Sequence, residues 1–167
     1  MQIRALVPTD APSVLGIFAE GIAYGHATFE TEPGTWTSWD TRFVVPCRLA
    51  AEADGKLVGW AAISAFSKRE VYAGVGEVSL YIAECARGKG VGKALMAALI
   101  DASETAGFWT LQAHIFPENE ASLHLHRTFG FRDVGIRRRY GQMQTGSQKG
   151  QWRDGILLER RSTKVGV

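Results

Sequence analysis

The sequence predicts an α/β domain, a mixed sheet with helices on its faces, and three observations predict it. Strand-like runs alternate with helical stripes in the order β-α-(α)-β-β-β-α-β-α-β-β. Two of the strands are joined by Asp54-Gly55, the dipeptide of a tight hairpin. A glycine-rich turn, Arg87-Gly88-Lys89-Gly90-Val91-Gly92-Lys93, leads from the apolar strand 77–82 into a helix at about 91–106.

Residues 1–6 alternate apolar and polar side chains and form the first strand. A helix follows, with Asp10 at its N-cap, Pro12 in its first turn and a stripe of Val14, Leu15, Phe18 and Ile22. Residues 24–39 are rich in Gly, Thr, Glu and aromatics and are irregular for part of their length. A short helix is expected at 42–45, limited by Pro46. The hairpin pairs 49–53 with 56–65, and 75–82 is the next strand. Gly107 ends the glycine-turn helix at C′, and a strand runs over 109–115. Asn119 caps another helix that closes near Gly130, and Phe131 opens a further strand. Residues 141–150 are polar and Gly/Gln-rich, hence a loop, and 152–160 form the last strand.

The 167 residues fit a single domain, 1–167, able to bury roughly two-thirds of its unfolded surface. With 46% hydrophobic and 22% charged residues the composition is that of a globular protein. A formal net charge of +2, with no long basic run, argues against a nucleic-acid partner. No apolar stretch approaches the ~18 residues of a membrane span, and no leader is visible, so a cytoplasmic location is expected. Cys47 and Cys85 lack CxxC spacing and read as buried cytosolic thiols. His26 and His114 show no metal-like spacing, so no metal is expected.

The glycine-rich turn carries the chemistry. Where such a turn enters a helix, unpaired backbone N–H groups and the positive end of the helix dipole converge on one small volume. Arg87, Lys89 and Lys93 add full charges, so the guest is an anion, a diphosphate above all. Two commoner phosphate motifs are excluded. A P-loop needs Gly-Lys-Ser/Thr four residues after its first glycine, but the fifth position after Gly88 is Lys93 and the next is Ala94. The GxGxxG fingerprint fails because Gly88-x-Gly90 is followed by Lys93 and Gly90-x-Gly92 by Leu95.

What remains resembles the Q/R-x-x-G-x-G/A acetyl-CoA signature of the GNAT superfamily of N-acetyltransferases. A second block, Asn119-Glu120-Ala121-Ser122-Leu123-His124-Leu125-His126-Arg127-Thr128-Phe129-Gly130-Phe131, resembles the Asn…Ser/Ala…Leu-Tyr…Gly-Phe segment of that superfamily. Three further stretches are similar to the phosphinothricin-type branch, whose relatives acetylate methionine sulfone, methionine sulfoximine or arsinothricin. They are Thr28-Phe29-Glu30-Thr31-Glu32-Pro33, Glu77-Val78-Ser79-Leu80-Tyr81-Ile82 and Gly150-Gln151-Trp152-Arg153-Asp154.

The resemblance implies a twisted, mostly antiparallel sheet of about six or seven strands, splayed at the acetyl-CoA site and flanked by about four helices. It implies acetyl-CoA as co-substrate and a small-molecule primary amine as acceptor. The freed backbone of Leu80, Tyr81 and Ile82 would pair with the pantetheine arm, and the N–H groups from Gly88 to Lys93 would hold the diphosphate. Glu77 would be the general base, set among Gly74, Val75, Gly76 and Val78. His126, where many members carry tyrosine, would be the general acid for the CoA sulfur or a CoA contact. It shares a helix face with Ser122. Asn119 would contact pantetheine as well as cap its helix.

The acceptor contacts implied are Phe29, Glu30, Arg69, Tyr72 and Arg153, with arginine suited to bidentate recognition of an oxyanion. Trp36, Trp39 and Trp60 read as core or interface rather than ligand contacts. A homodimer is expected by the same likeness. The leading expectation is acetylation of an amino-acid-like herbicide, antibiotic or oxidised methionine analogue. The alternatives are a protein N-terminus, polyamine or other amine as acceptor, or a non-catalytic acyl-CoA-sensing module.

Overall fold

A computed structural model describes residues 1–167. Seven strands form one sheet: β1 (Gln2–Ala5), β2 (Phe43–Ala53), β3 (Lys56–Ala65), β4 (Val75–Ile82), β5 (Thr110–Ile115), β6 (Arg132–Gln142) and β7 (Trp152–Arg161). The helices are α1 (Ala11–Tyr24), α2 (Trp36–Arg42), α3 (Val91–Thr105) and α4 (Glu120–Thr128). The strand order is β1-β2-β3-β4-β5-β7-β6. Every neighbouring pair is antiparallel except β4 and β5.

That exception shapes the molecule. β4 pairs with β5 only at Val75, Gly76 and Glu77, opposite Thr110, Leu111 and Gln112. From Val78 onward β4 keeps its antiparallel partner β3 and diverges from β5. The sheet is therefore forked, as expected of the splay.

Side-chain alternation along β3 assigns the helices to the two faces. The Trp60 indole N–H donates to the Val14 carbonyl of α1 at 3.1 Å. A Cβ on the neighbouring Gly59 would stand 3.2 Å from Leu95 of α3. Hence α1 covers one face and α3 the other. On the α1 face the buried Trp60 stacks on its cross-strand partner Tyr81 at 4.9 Å, while Phe18 meets Tyr81 edge-on. Gly21 of α1 is required there, because a Cβ would come within 2.6 Å of the Tyr81 ring.

Several local expectations need correction. Residues 42–45 are not a helix. α2 lies earlier, capped by Thr35, whose hydroxyl accepts from Ser38 N while the Ser38 hydroxyl accepts from Thr35 N. Pro46 sits inside β2, which tolerates it because the register with β3 is broken between Phe43 and Arg48. Asp10 precedes α1 but does not cap it with its side chain. Its carboxylate accepts from Arg4 and from the Val7 N–H instead. β6 continues to Gln142, past the expected start of the loop. Cys47 is buried, and burial pushes its thiol up to about 11, but Cys85 is exposed.

Candidate active site

Glu77 stands at the fork. Its partner across the junction is Gln112, whose side-chain amide donates to the Glu77 carboxylate at 3.1 Å. A cavity of about 400 Å³ lies over this face. Its floor is β4 from Glu77 to Tyr81 and β5 from Ala113 to Ile115. Its outer wall comes from the connection between α1 and α2, with Thr28, Phe29 and Glu30, and from Arg42 at the end of α2. Phe29 is seated edge-on against Phe116 at 4.7 Å. A Cβ on Gly141 of β6 would press within 2.7 Å of that ring, so the glycine permits the wall to close.

A second cavity of about 250 Å³ shares Ala27, Leu80, Tyr81, Asn119 and Ser122 with the first. It continues along Ile82 to Arg87 and Gly88, with Tyr24 and Leu125 on its sides. Together they form one groove from the Glu77 carboxylate to the glycine-rich turn. Gly88 and Gly90 adopt φ of +74° and +82°, the left-handed region that glycine enters without strain. The Arg87 guanidinium lies 5.1 Å from the Tyr24 ring centroid, over its face.

Not all of the expected turn residues face the groove. Val91 and Gly92 are buried, and Gly92 is a packing glycine: its Cβ would meet Ile82 and Leu125, each at 3.1 Å. Lys89 and Lys93 are exposed beside the turn and outside the groove lining.

Asn119 caps α4 as expected, its Oδ1 accepting from Ser122 N at 3.2 Å. Its amide also donates to the His26 carbonyl at 3.1 Å, fastening the connection between α1 and α2 to α4. His126 is buried, edge-on to Phe131, and lines the cavity. Its Nδ1 lies 2.8 Å from the Ser122 carbonyl, so that nitrogen must donate. Burial holds its pKa below the ordinary histidine value, against a smaller opposite pull from that bond. The neutral ring thus carries its proton on Nδ1, and Nε2, buried and without a partner, carries a lone pair. A general acid needs a proton at Nε2, and this environment opposes placing one there.

Tyr81 lines both cavities, and burial pushes its hydroxyl up to about 12, so it is a neutral phenol. Three of the expected acceptor residues, Arg69, Tyr72 and Arg153, lie apart from the cavity lining. Arg69 stacks over Tyr72 at 5.4 Å, and Tyr72 meets Phe66 edge-on, forming a separate exposed cluster. Arg153 is enclosed at 3% exposure and engaged through both terminal nitrogens. It donates to the Gly25 carbonyl, Gln148, His26 Nδ1 and Glu118, over the Phe116 ring. It braces Gly25 and His26, where the connection from α1 to α2 begins.

Four lining or supporting residues escaped sequence reasoning: Arg42, Gln112, His114 and Tyr140. His114 stacks on Tyr140 at 4.5 Å, and its buried Nε2 has no partner. Burial and the Arg137 charge lower its pKa, with Glu77 opposing. The i, i+2 placement of Gln112 and His114 after the glycine-turn helix was the available signal.

The forked sheet carries a carboxylate at the fork, and the groove runs from it to the glycine-rich turn. Residues 16–131 match the acetyltransferase (GNAT) family, and the chain belongs to that family. It is 33% identical to a phosphinothricin N-acetyltransferase of Alcaligenes faecalis, over 95% of this chain and 81% of that one. It is 31% identical to an L-methionine sulfoximine/L-methionine sulfone acetyltransferase of Pseudomonas aeruginosa, over 95% and 92%. Among solved structures it matches a phosphinothricin acetyltransferase from Sinorhizobium meliloti in complex with acetyl-CoA. There the TM-score is 0.87 with 29% identity, over 99% of this chain and 90% of that one.

Proposed function

We propose that this acetyltransferase moves an acetyl group from acetyl-CoA to the primary amine of a small amino-acid-like acceptor, with Glu77 as base. The observation that carries the proposal is the continuous groove joining the Glu77 carboxylate to the Arg87–Gly88 turn. The relatives' names support the donor and the acceptor class.

Each element then has a task. An acceptor arrives as an ammonium ion, and Glu77, oriented by Gln112, takes its proton. The neutral nitrogen attacks the thioester carbonyl, the C–S bond breaks, and the second proton shed by the attacking nitrogen ends on the departing CoA sulfur, giving the amide and free CoA thiol. Main-chain groups of β4 beyond Glu77, free of β5, are the donors nearest the developing oxyanion. His126, with its lone pair at Nε2, accepts a hydrogen bond beside the donor rather than supplying a proton. The expected homodimer enters on one structural support, the exposed Phe66, Val71 and Tyr72 beside Arg69. Light scattering on the purified protein reads it.

The test is thiol release from acetyl-CoA with phosphinothricin, methionine sulfone, methionine sulfoximine, arsinothricin, spermidine and a short peptide. Turnover of the amino-acid analogues is expected. Turnover confined to spermidine or the peptide would overturn the acceptor class, and tight CoA binding without turnover would favour a sensing module.

A further inference from the structure

The cavity lining holds a single arginine or lysine, Arg42. The cations that the sequence offered for an anionic acceptor are engaged elsewhere. Arg153 is buried in its own network, and Arg69 lies in the exposed Tyr72 cluster. Arg137, the cation that acts on His114, stacks over Tyr140 at 5.1 Å outside the lining.

Arg42 makes one hydrogen bond, Nη1 to the Glu30 carboxylate at 3.2 Å, and its guanidinium lies over the Phe43 ring at 5.3 Å. Glu30 lines the same cavity, and the two side chains are about half exposed, 46% and 50%. A solvent-exposed pair with a single contact is weakly held. Neither Nε nor Nη2 of Arg42 has a hydrogen-bond partner, so the edge that receives a carboxylate bidentately is still available. Arg42, Glu30, Glu77 and Tyr81 all line this one cavity. A cation at the mouth and a carboxylate at the fork match the two charges of a zwitterion.

We propose that Arg42 is the docking point for the acceptor's carboxylate, and that Glu30 is an internal competitor the acceptor displaces. The proposal rests on the acetyltransferase reading and adds to it a specific anion subsite. Glu30 then has a second effect: it weakens binding of an anionic acceptor, which must replace it, and leaves a neutral acceptor unaffected. Arg42 makes the mouth selective for anionic amines over neutral ones, and Glu30 tempers that preference.

The experiment compares steady-state kinetics of wild type, Arg42→Gln, Arg42→Lys and Glu30→Gln. The probes are methionine sulfone and its carboxamide, at saturating acetyl-CoA. For the carboxylate acceptor, Arg42→Gln should raise KM roughly tenfold or more, the loss of one charge-assisted bidentate contact. Arg42→Lys should recover part of that loss. Glu30→Gln should lower KM for the same acceptor severalfold. For the carboxamide, neither Arg42→Gln nor Glu30→Gln should change KM. An Arg42→Gln penalty equal for both acceptors overturns the subsite, as does a rise in KM for Glu30→Gln. Absence of turnover by wild type with either acceptor overturns the underlying reading of the substrate class, and the subsite with it. Melting curves and acetyl-CoA binding of each variant confirm that the comparison is made on folded protein.

Discussion

The Gln112 amide donates to the Glu77 carboxylate at the last residue pair of the only parallel junction in the sheet. One strand supplies the carboxylate and the next strand aims it, at the point where the two part. Replacing Glu77 with Gln should lower kcat by about 10²–10⁴-fold, the usual weight of a general base. Acetyl-CoA affinity should not change, because Glu77 lies at the acceptor end of the groove. Gln112→Leu keeps the base and removes its support, so kcat should fall by about tenfold. Stopped thiol-release assays with calorimetry for the donor check both. Equal kcat in Glu77→Gln and wild type would remove Glu77 from the mechanism.

The buried His126 predicts a direction for acid sensitivity. Its native pKa lies below the ordinary value of 6.5, so between the two values the unfolded chain binds more protons than the native one. Stability therefore rises with pH through that window and is lost as pH falls below about 6.5. His114, lowered for the same reason, adds to the loss. The melting temperature should drop between about pH 7.5 and 5.5, and less so in His126→Phe. Parallel pH curves for the two proteins would show that His126 is not the titrating group.

Gly21 couples α1 to the site. A methyl group there would lie 2.6 Å from a Tyr81 ring already packed on Trp60 and Phe18. Gly21→Ala should destabilise the fold by about 1–3 kcal/mol, the range for overpacking a filled core. Because Tyr81 lines both cavities, KM for acetyl-CoA should rise as well. Thermal melts together with donor kinetics read the two effects.

Arg153 offers the contrasting case. Its guanidinium is surrounded by the Gly25 carbonyl, Gln148, His26 and Glu118. Arg153→Met should cost about 2 kcal/mol or more, since several hydrogen bonds to a buried charged group are lost. That corresponds to a fall of roughly 5 °C in melting temperature for a chain of this size. At a temperature where the variant stays folded, the ratio of KM for the carboxylate and carboxamide acceptors should be unchanged. A selective loss for the carboxylate would instead make Arg153 a ligand contact.

Local rules made much of this molecule legible. The Asp54-Gly55 hairpin, the Asn119 cap and the Gly107 stop each follow from backbone preferences of a few adjacent residues, and each is present. α2 was hidden because its capping pair, Thr35 and Ser38, lies in a stretch that reads as loop. β2 was cut short because Pro46 reads as a breaker, whereas the irregular register with β3 accommodates it. The groove was half legible. Glu77 and the glycine turn stand beside each other in the chain, but Arg42 meets Glu30 only after the connection between them folds back. No spacing distinguishes Arg153, a buried brace, from an arginine that greets a ligand. Nor does the Ser122–His126 interval reveal which ring nitrogen holds the proton, which the Ser122 carbonyl decides.

Beyond Glu77 and Gln112 the fork exposes main chain, and main chain is common to every sequence that keeps the two strands apart. Recognition at that place is indifferent to mutation of the side chains around it. The mouth of the cavity is the opposite: Phe29, Glu30 and Arg42 lie on an irregular connection and a seven-residue helix, outside the sheet. A few substitutions there can retarget the enzyme while the half of the site that handles the donor stays intact. Divergence in this architecture is therefore cheap on one side of the groove and nearly forbidden on the other.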